Sequence, residues 1–186
     1  MTTADEQQLL VETLWDTKKR AYRVAITLDG RTYARLDARS ALAHAAAVLA
    51  HAQHAEYDAA VLTQLHQMLS LPIEAAGHSI VELRDKRRVP SAADTAPLRL
   101  EPGVTAAGKP FIAIKHHGDT VGQWDVPDAR THAMNVIEAV EAARLDTDYR
   151  NFLVKEVGID DARASQVVHD LADHRPGGRQ MGVQGP

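Results

Sequence analysis

The chain has 186 residues, with 21 Lys and Arg against 25 Asp and Glu; it is 45% apolar and 4% aromatic, and it contains no cysteine. This size allows one domain or two small ones with a core, and zero cysteine excludes disulfide scaffolds, Cys-ligated zinc and thiol nucleophiles. A net charge of −4 argues against affinity built mainly on phosphate neutralisation. No apolar run approaches the roughly 18 to 20 residues of a membrane span, and Asp5 and Glu6 stand where a signal peptide carries positive charge, so the chain reads as soluble and cytoplasmic.

From the N-terminus, Thr3 and Glu6 have capping-box spacing ahead of Leu10, Leu14 and Trp15. They predict an amphipathic helix within 1–21, ending at Lys18, Lys19 and Arg20. Tyr22, Val24, Ile26 and Leu28 then alternate with polar or small residues, Asp29-Gly30 supplies a two-residue turn, and Thr32 to Leu36 returns as a hairpin. Asp37 stands where a carboxylate caps a helix, and Ala41, Ala45, Val48, Ala52 and Ala55 mark one helical face. A second helix is read through Val61, Leu65, Met68 and Leu69, and a third from Pro72 to Arg87 through Ala76, Ile80 and Leu83. Segment 89–109, with Pro90, Pro97, Pro102, Gly103 and Gly108, reads as a linker with room for a short extended stretch at Leu98–Leu100.

The same order then repeats. Shifted by 88 residues, 22–88 aligns with 110–176 without a gap and with 16 identities in 67 positions. Among them are Gly30 and Gly118, Asp37 and Asp125, His44 and His132, and Asp58 and Asp146. The apolar face recurs at 129, 133, 136, 140 and 143, and the second helix at Tyr149, Phe152, Leu153 and Val157. Residues 177–186 read as a disordered tail. The fold expected is α+β: a tandem duplication of a β-hairpin plus three-helix unit, 22–88 and 110–176, with pseudo-twofold symmetry. The two hairpins are expected to form one antiparallel sheet with helices on one face, either as a monomer with a pseudo-dimeric core or as a homodimer.

A two-residue turn places Arg23 opposite Leu36, and Phe111 opposite Trp124. Val24, Ile26 and Tyr33, with Ile112, Ile114 and Val121, then face the core. The opposite face of the second hairpin carries Phe111, Ala113, Lys115, Gly122 and Trp124. An aromatic pair flanking small residues beside a lysine suits a protein partner. The leading reading is therefore a non-catalytic bacterial adaptor or regulatory protein that binds another protein through Phe111, Trp124, Lys115 and Leu36, or through the interface between units.

The main alternative is nucleic-acid binding by the first unit, through Lys18, Lys19, Arg20, Arg23, Arg31, Arg35, Arg84, Lys86, Arg87 and Arg88. Residues 1–88 hold 11 basic and 11 acidic side chains, whereas the remainder holds 10 and 14. A helix-turn-helix spacing at Leu153, Val157, Gly158, Ile159, Ala164 and Val167 is offset by the acidic Asp160, Asp161, Asp170 and Asp173, so it reads as an ordinary αα-hairpin. The third reading is an enzyme using His116, His117 and Asp119. No catalytic motif, cofactor fingerprint or metal-ligand spacing is present, and the recurrence of His44 at His132 points to a structural role. Spacing alone does not place those two histidines together.

Overall fold

The N-terminal segment expected to be helical is a strand. In the computed structural model, which describes residues 7–28, 30–86, 99–116, 118–172 and 181–183, β1 (Gln7–Asp16) pairs antiparallel with β2 (Ala21–Leu28) from Leu9 opposite Leu28 to Asp16 opposite Ala21. Leu10 and Leu14 at i, i+4 suggest a helix, but Val11, Thr13 and Trp15 suit a pleated strand, and cross-strand pairing decides between the two. The proposed cap, Thr3 and Glu6, lies outside the described residues. The hairpin turns where Asp16 Oδ1 accepts the backbone N–H groups of Lys18 and Lys19, with Arg20 at a positive φ of 52°.

β3 (Arg31–Leu36) completes that sheet on one side, and β7 (Met181–Val183) adds to the other, in the order β3-β2-β1-β7. Part of the tail read as disordered is thus a strand. The linker reading is corrected likewise, because Arg99–Val104 forms β4. It pairs with β5 (Pro110–His116), which pairs with β6 (Asp119–Asp125). The hairpins do not share one sheet. The free edge of β2 is taken by β1 and that of β5 by β4, so each hairpin satisfies its edge within its own sheet.

The two short helices expected in each half are one long helix. α1 (Ala38–Gln67) and α3 (Val126–Lys155) each have 30 residues, about 45 Å at 1.5 Å per residue. Neither Gly nor Pro interrupts α1, and Pro127 lies in the first turn of α3, where it is tolerated. The buried stripe of α1 continues through Ala59 and Leu62, and that of α3 runs on to Asp146, Arg150 and Leu153. Those two ionic residues broke the apolar pattern that sequence reading follows. α2 (Ile73–Lys86) and α4 (Asp161–Ala172) complete the fold, giving two antiparallel sheets and four helices among the described residues.

Packing divides the chain into two compact units. One centres on His44–Ala133 and holds β4–β6, most of α1 and α2; its core gathers Leu62, Ala76 and Ile80 with Leu65, Leu71 and Val104. The other combines Gln8–Ala43 with Met134–Gly182, and gathers Leu153, Ala164 and Val168 with Tyr22, Val154 and Ile159. Segments 22–88 and 110–176 each contribute to both units.

Helix ends follow the expected chemistry. Asp37 and Asp125 accept backbone N–H groups from Ser40 and Asp128 at 2.8 Å, and Asp160 does the same for Arg163 at 2.9 Å. The Ser40 hydrogen bonds hold the Asp37 carboxyl below its ordinary range. α1 and α3 close alike, with Leu71 N–H donating to Leu65 O and Ile159 N–H to Leu153 O, both at 3.2 Å. The left-handed residue is Gly158 (φ 77°) after α3, but Ser70 (φ 53°) after α1. Ser70 carries a strain that glycine does not. Ser70→Gly is expected to raise unfolding stability by about 1 kcal/mol, and Gly158→Ala to lower it by about as much, in urea titrations of each variant.

Candidate functional site

The hairpins are where sequence reading placed the binding residues, and a bulge changes their faces. Pairing shifts register between Ile26 and Thr27 and between Ile114 and Lys115, so Val24 lies opposite Leu36 and Ile112 opposite Trp124. The extra residue in each return strand flips the parity of all that follows it. Trp124 therefore lies on the core side at 1% exposure, while Phe111 pairs with Asp125 and Gly103. The expected Phe111–Trp124 pair is not formed. The Phe111 ring lies over Gly103, where any Cβ would collide with it. Lys115 is ion-paired with Glu101, and Leu36 is half-buried.

Among the described basic candidates, some are ion-paired and some stand well apart on the same sheet. Arg23 lies 3.4 Å from Asp16 and 3.9 Å from Asp37, and Arg84 donates to the buried Asp58 at 2.6 Å. Lys18, Lys19 and Arg20 occupy the β1–β2 turn, whereas Arg31 pairs with Leu28 at the far end of β2, about 23 Å away at 3.3 Å per residue. Arg35 and Lys86 are exposed, and Arg87 and Arg88 lie outside the described residues. His116 and Asp119 face each other at a hairpin tip, and His117 lies outside the described residues. Among the described residues no three His, Asp or Glu side chains gather as a metal site, and no helix is long and apolar enough to cross a membrane.

What the sequence analysis missed is an outward apolar row. It placed Tyr149, Phe152, Leu153 and Val157 together on a second helix, and of these only Leu153 is buried. Leu145 (61% exposed), Tyr149 (40%) and Phe152 (52%) stand at i, i+4 and i+7 on α3, and Val157 (53%) follows its end. The signal was available. Extending the 129-133-136-140-143 spacing phases 147, 150 and 154 inward, close to the buried 146, 150 and 153, and leaves 145, 149 and 152 on the opposite side. Exposed Glu141, Asp148, Glu156 and Asp160 surround the row, against Arg144 and Lys155.

His44 and His132, 88 residues apart, meet in the structure. Their Nε2 atoms lie 3.1 Å apart, and His132 stacks on Trp124 with centroids 4.6 Å apart. Such a pair needs one ring to donate and the other, which must be neutral, to accept, and burial favours the neutral form of both. Burial pushes the pKa of His44 down to about 4; burial and then the neighbouring imidazole push that of His132 to about 3. The unfolded chain takes up protons below about pH 6.5 while the folded pair does not, so stability is complete above that pH and falls toward pH 4. The loss is expected to reach up to about 1.4 kcal/mol per pH unit for each histidine. His44→Leu should roughly halve the slope between pH 6.5 and 4 in urea unfolding curves; an unchanged slope would contradict the assignment.

Compared with known proteins, the chain matches no family model, no curated protein and no solved structure.

Proposed function

We propose that this protein is a non-catalytic adaptor or regulatory protein that holds a partner protein on the outward face of α3. One observation carries the reading: Leu145, Tyr149 and Phe152 stand exposed in a single helical row. Folding gains nothing from apolar side chains left in water, and a contiguous apolar row rimmed by charge is the usual form of a protein-binding surface. The row suits an amphipathic helix of the partner, laid along α3 with its own anchors at the same spacing. Acidic residues outnumber basic ones around it, so basic residues are expected to flank the partner's apolar face.

A tandem duplication underlies the architecture in this reading. Its supports are the gapless alignment at +88, the α1 and α3 bounds that differ by 88 at both ends, and the recurring helix closures at Leu71 and Ile159. Contact between His44 and its own counterpart His132 fits a pseudo-twofold axis that passes near the pair.

Photo-crosslinking from Asn151, beside the row, tests the function in the native host. The expected result is a discrete partner whose basic amphipathic segment, made as a peptide, binds the purified protein. Phe152→Asp should weaken that binding at least about 100-fold, as loss of a buried aromatic anchor does, without loss of helicity. Equal peptide binding by Phe152→Asp would overturn the proposal, as would crosslinks formed only between copies of this chain.

A further inference from the structure

In the unit built on β1–β3, a cavity of about 310 Å³ is lined by Thr13, Leu14 and Trp15 of β1 and by residues of α4 that include Ala162, Gln166 and His169. The three α4 residues stand at i, i+4 and i+7 on one helical face, and all three are exposed, so the cavity is a cleft reached from solvent. Thr13 and Trp15 share one face of their strand, and Thr13 Oγ1 donates to Asp146 Oδ2 at 3.4 Å, which marks that face as the one turned toward the helices. On it, Trp15 and Tyr22 form an edge-to-face aromatic wall with centroids 5.1 Å apart. Arg150 braces this wall. Its guanidinium lies 3.9 Å over the Trp15 ring, its Nε donates to Ser165 Oγ at 3.0 Å, and its Nη2 lies 3.0 Å from Asp161 Oδ1, so one buried side chain ties strand to helix across the cleft.

The edges of β1 are unequal. β2 pairs with it from Leu9 to Asp16, so one edge is taken along nearly its whole length. The other carries β7, which has three residues against the ten of β1. Among the described residues, most of that outer edge therefore has no strand on it. An edge of N–H and C=O groups is a template for another strand, and β7 shows that this one accepts a strand. A strand added opposite Thr13 to Trp15 would lie about 4.8 Å out, and its side chains opposite those two would leave on the same face as they do. That is the face on which the cavity lies. The volume is at the lower end of small-molecule sites and is enough for one aromatic side chain.

We propose that the outer edge of β1 takes an extended segment of a partner protein as a further strand, with one aromatic side chain of that segment seated in the cavity against Trp15 and Tyr22. Main-chain hydrogen bonds to β1 supply affinity, and the cavity selects the anchor residue. β7, with three residues, is short enough to be displaced where the two overlap. The site does not rest on the outward row of α3. With both surfaces the chain holds one helical and one extended segment, which suits an adaptor that joins two partners.

The test is an NMR titration of the full chain with the peptide acetyl-Lys-Thr-Val-Phe-Val-Thr-Lys-amide, following the Thr13, Leu14 and Trp15 amides and the Trp15 indole. Saturable shifts with a Kd below about 1 mM are expected, with slowed hydrogen exchange at the outward N–H groups of β1. Alanine in place of the peptide's phenylalanine should weaken binding at least about tenfold for loss of the buried ring. Alternate N–H groups of a strand point to the same edge. Of two peptides N-methylated either on both valines or on the phenylalanine and threonines, one should therefore bind at least about tenfold more weakly than the other. Ala162→Trp and Gln166→Trp alter exposed side chains on the cavity wall, and each should weaken binding by at least about as much. Phe152→Asp should bind this peptide like the native chain, so the present inference and the proposed function fail separately. The proposal is overturned if no saturable shift appears up to about 10 mM, or if the alanine peptide or both N-methylated peptides bind as tightly as the parent. It is equally overturned if phenylacetamide alone binds as tightly as the peptide, or if both tryptophan variants bind like the native chain. A dimer of the native chain that protects the same β1 amides without peptide would put a second copy on this edge and overturn it too.

Discussion

The constraint on which the rest of the structure depends is the smallness of the buried faces of α1 and α3. Ala41, Ala45, Ala52 and Ala55 on one helix, and Ala129, Ala133 and Ala143 on the other, are buried, and the larger apolar side chains among them, such as Val48, Leu62, Val136, Val140 and Leu153, are few. An alanine stripe lets a neighbour approach to near-backbone distance, but each residue contributes little apolar area. Length compensates. A 30-residue helix adds many small increments, and each helix runs through both compact units, so neither unit is built from one contiguous segment. Larger side chains are then admitted only at a few points, chiefly Trp124, Ile26 and Ile112 from the strands.

Polar groups inside such a frame must be neutral or paired, and the structure meets that requirement in three ways. His44 and His132 give up their charge and share one proton donor. Asp58 is ion-paired with Arg84 from α2. Asp146, 88 residues on, accepts the Thr13 hydroxyl at 3.4 Å. The contrast between Leu62 and Arg150 is the most informative comparison in the molecule. Positions 88 residues apart on the two long helices hold an apolar residue in one and a partly unsatisfied cation in the other. Stability alone favours the former.

Apolar side chains outside the frame have the opposite logic. Once the stripe through Asp146, Arg150 and Leu153 is fixed inward, α3 has no freedom to hide Leu145, Tyr149 and Phe152, because residues one position or about 100° away cannot share a face. Rotating the helix to bury them would expose Leu153 and two ionic groups already bonded in the unit. The exposed row is thus a direct consequence of the helix phase, and it leaves those three side chains available for binding.

Local chemistry was legible in the sequence: the caps at Asp37 and Asp125, the return of each second strand, the small-residue helical face and the α+β class. Each depends on neighbours within a few positions, where hydrogen bonding and periodicity act. Strand β1 was not legible, since Leu10 and Leu14 fit a helix as well as a strand, and only pairing with β2 chooses. β4 was hidden because Pro102 and Gly103 resemble a linker until β5 lies beside them. One bulged residue decided whether Trp124 faced water or core, and such a shift leaves no mark on local periodicity. Of the sites, the outward row was recoverable from the phase of the 4-3 spacing, whereas the burial of Arg150 was not. A buried ion looks like a solvent-facing one in sequence, and only tertiary contacts reveal that its charge has been removed from water.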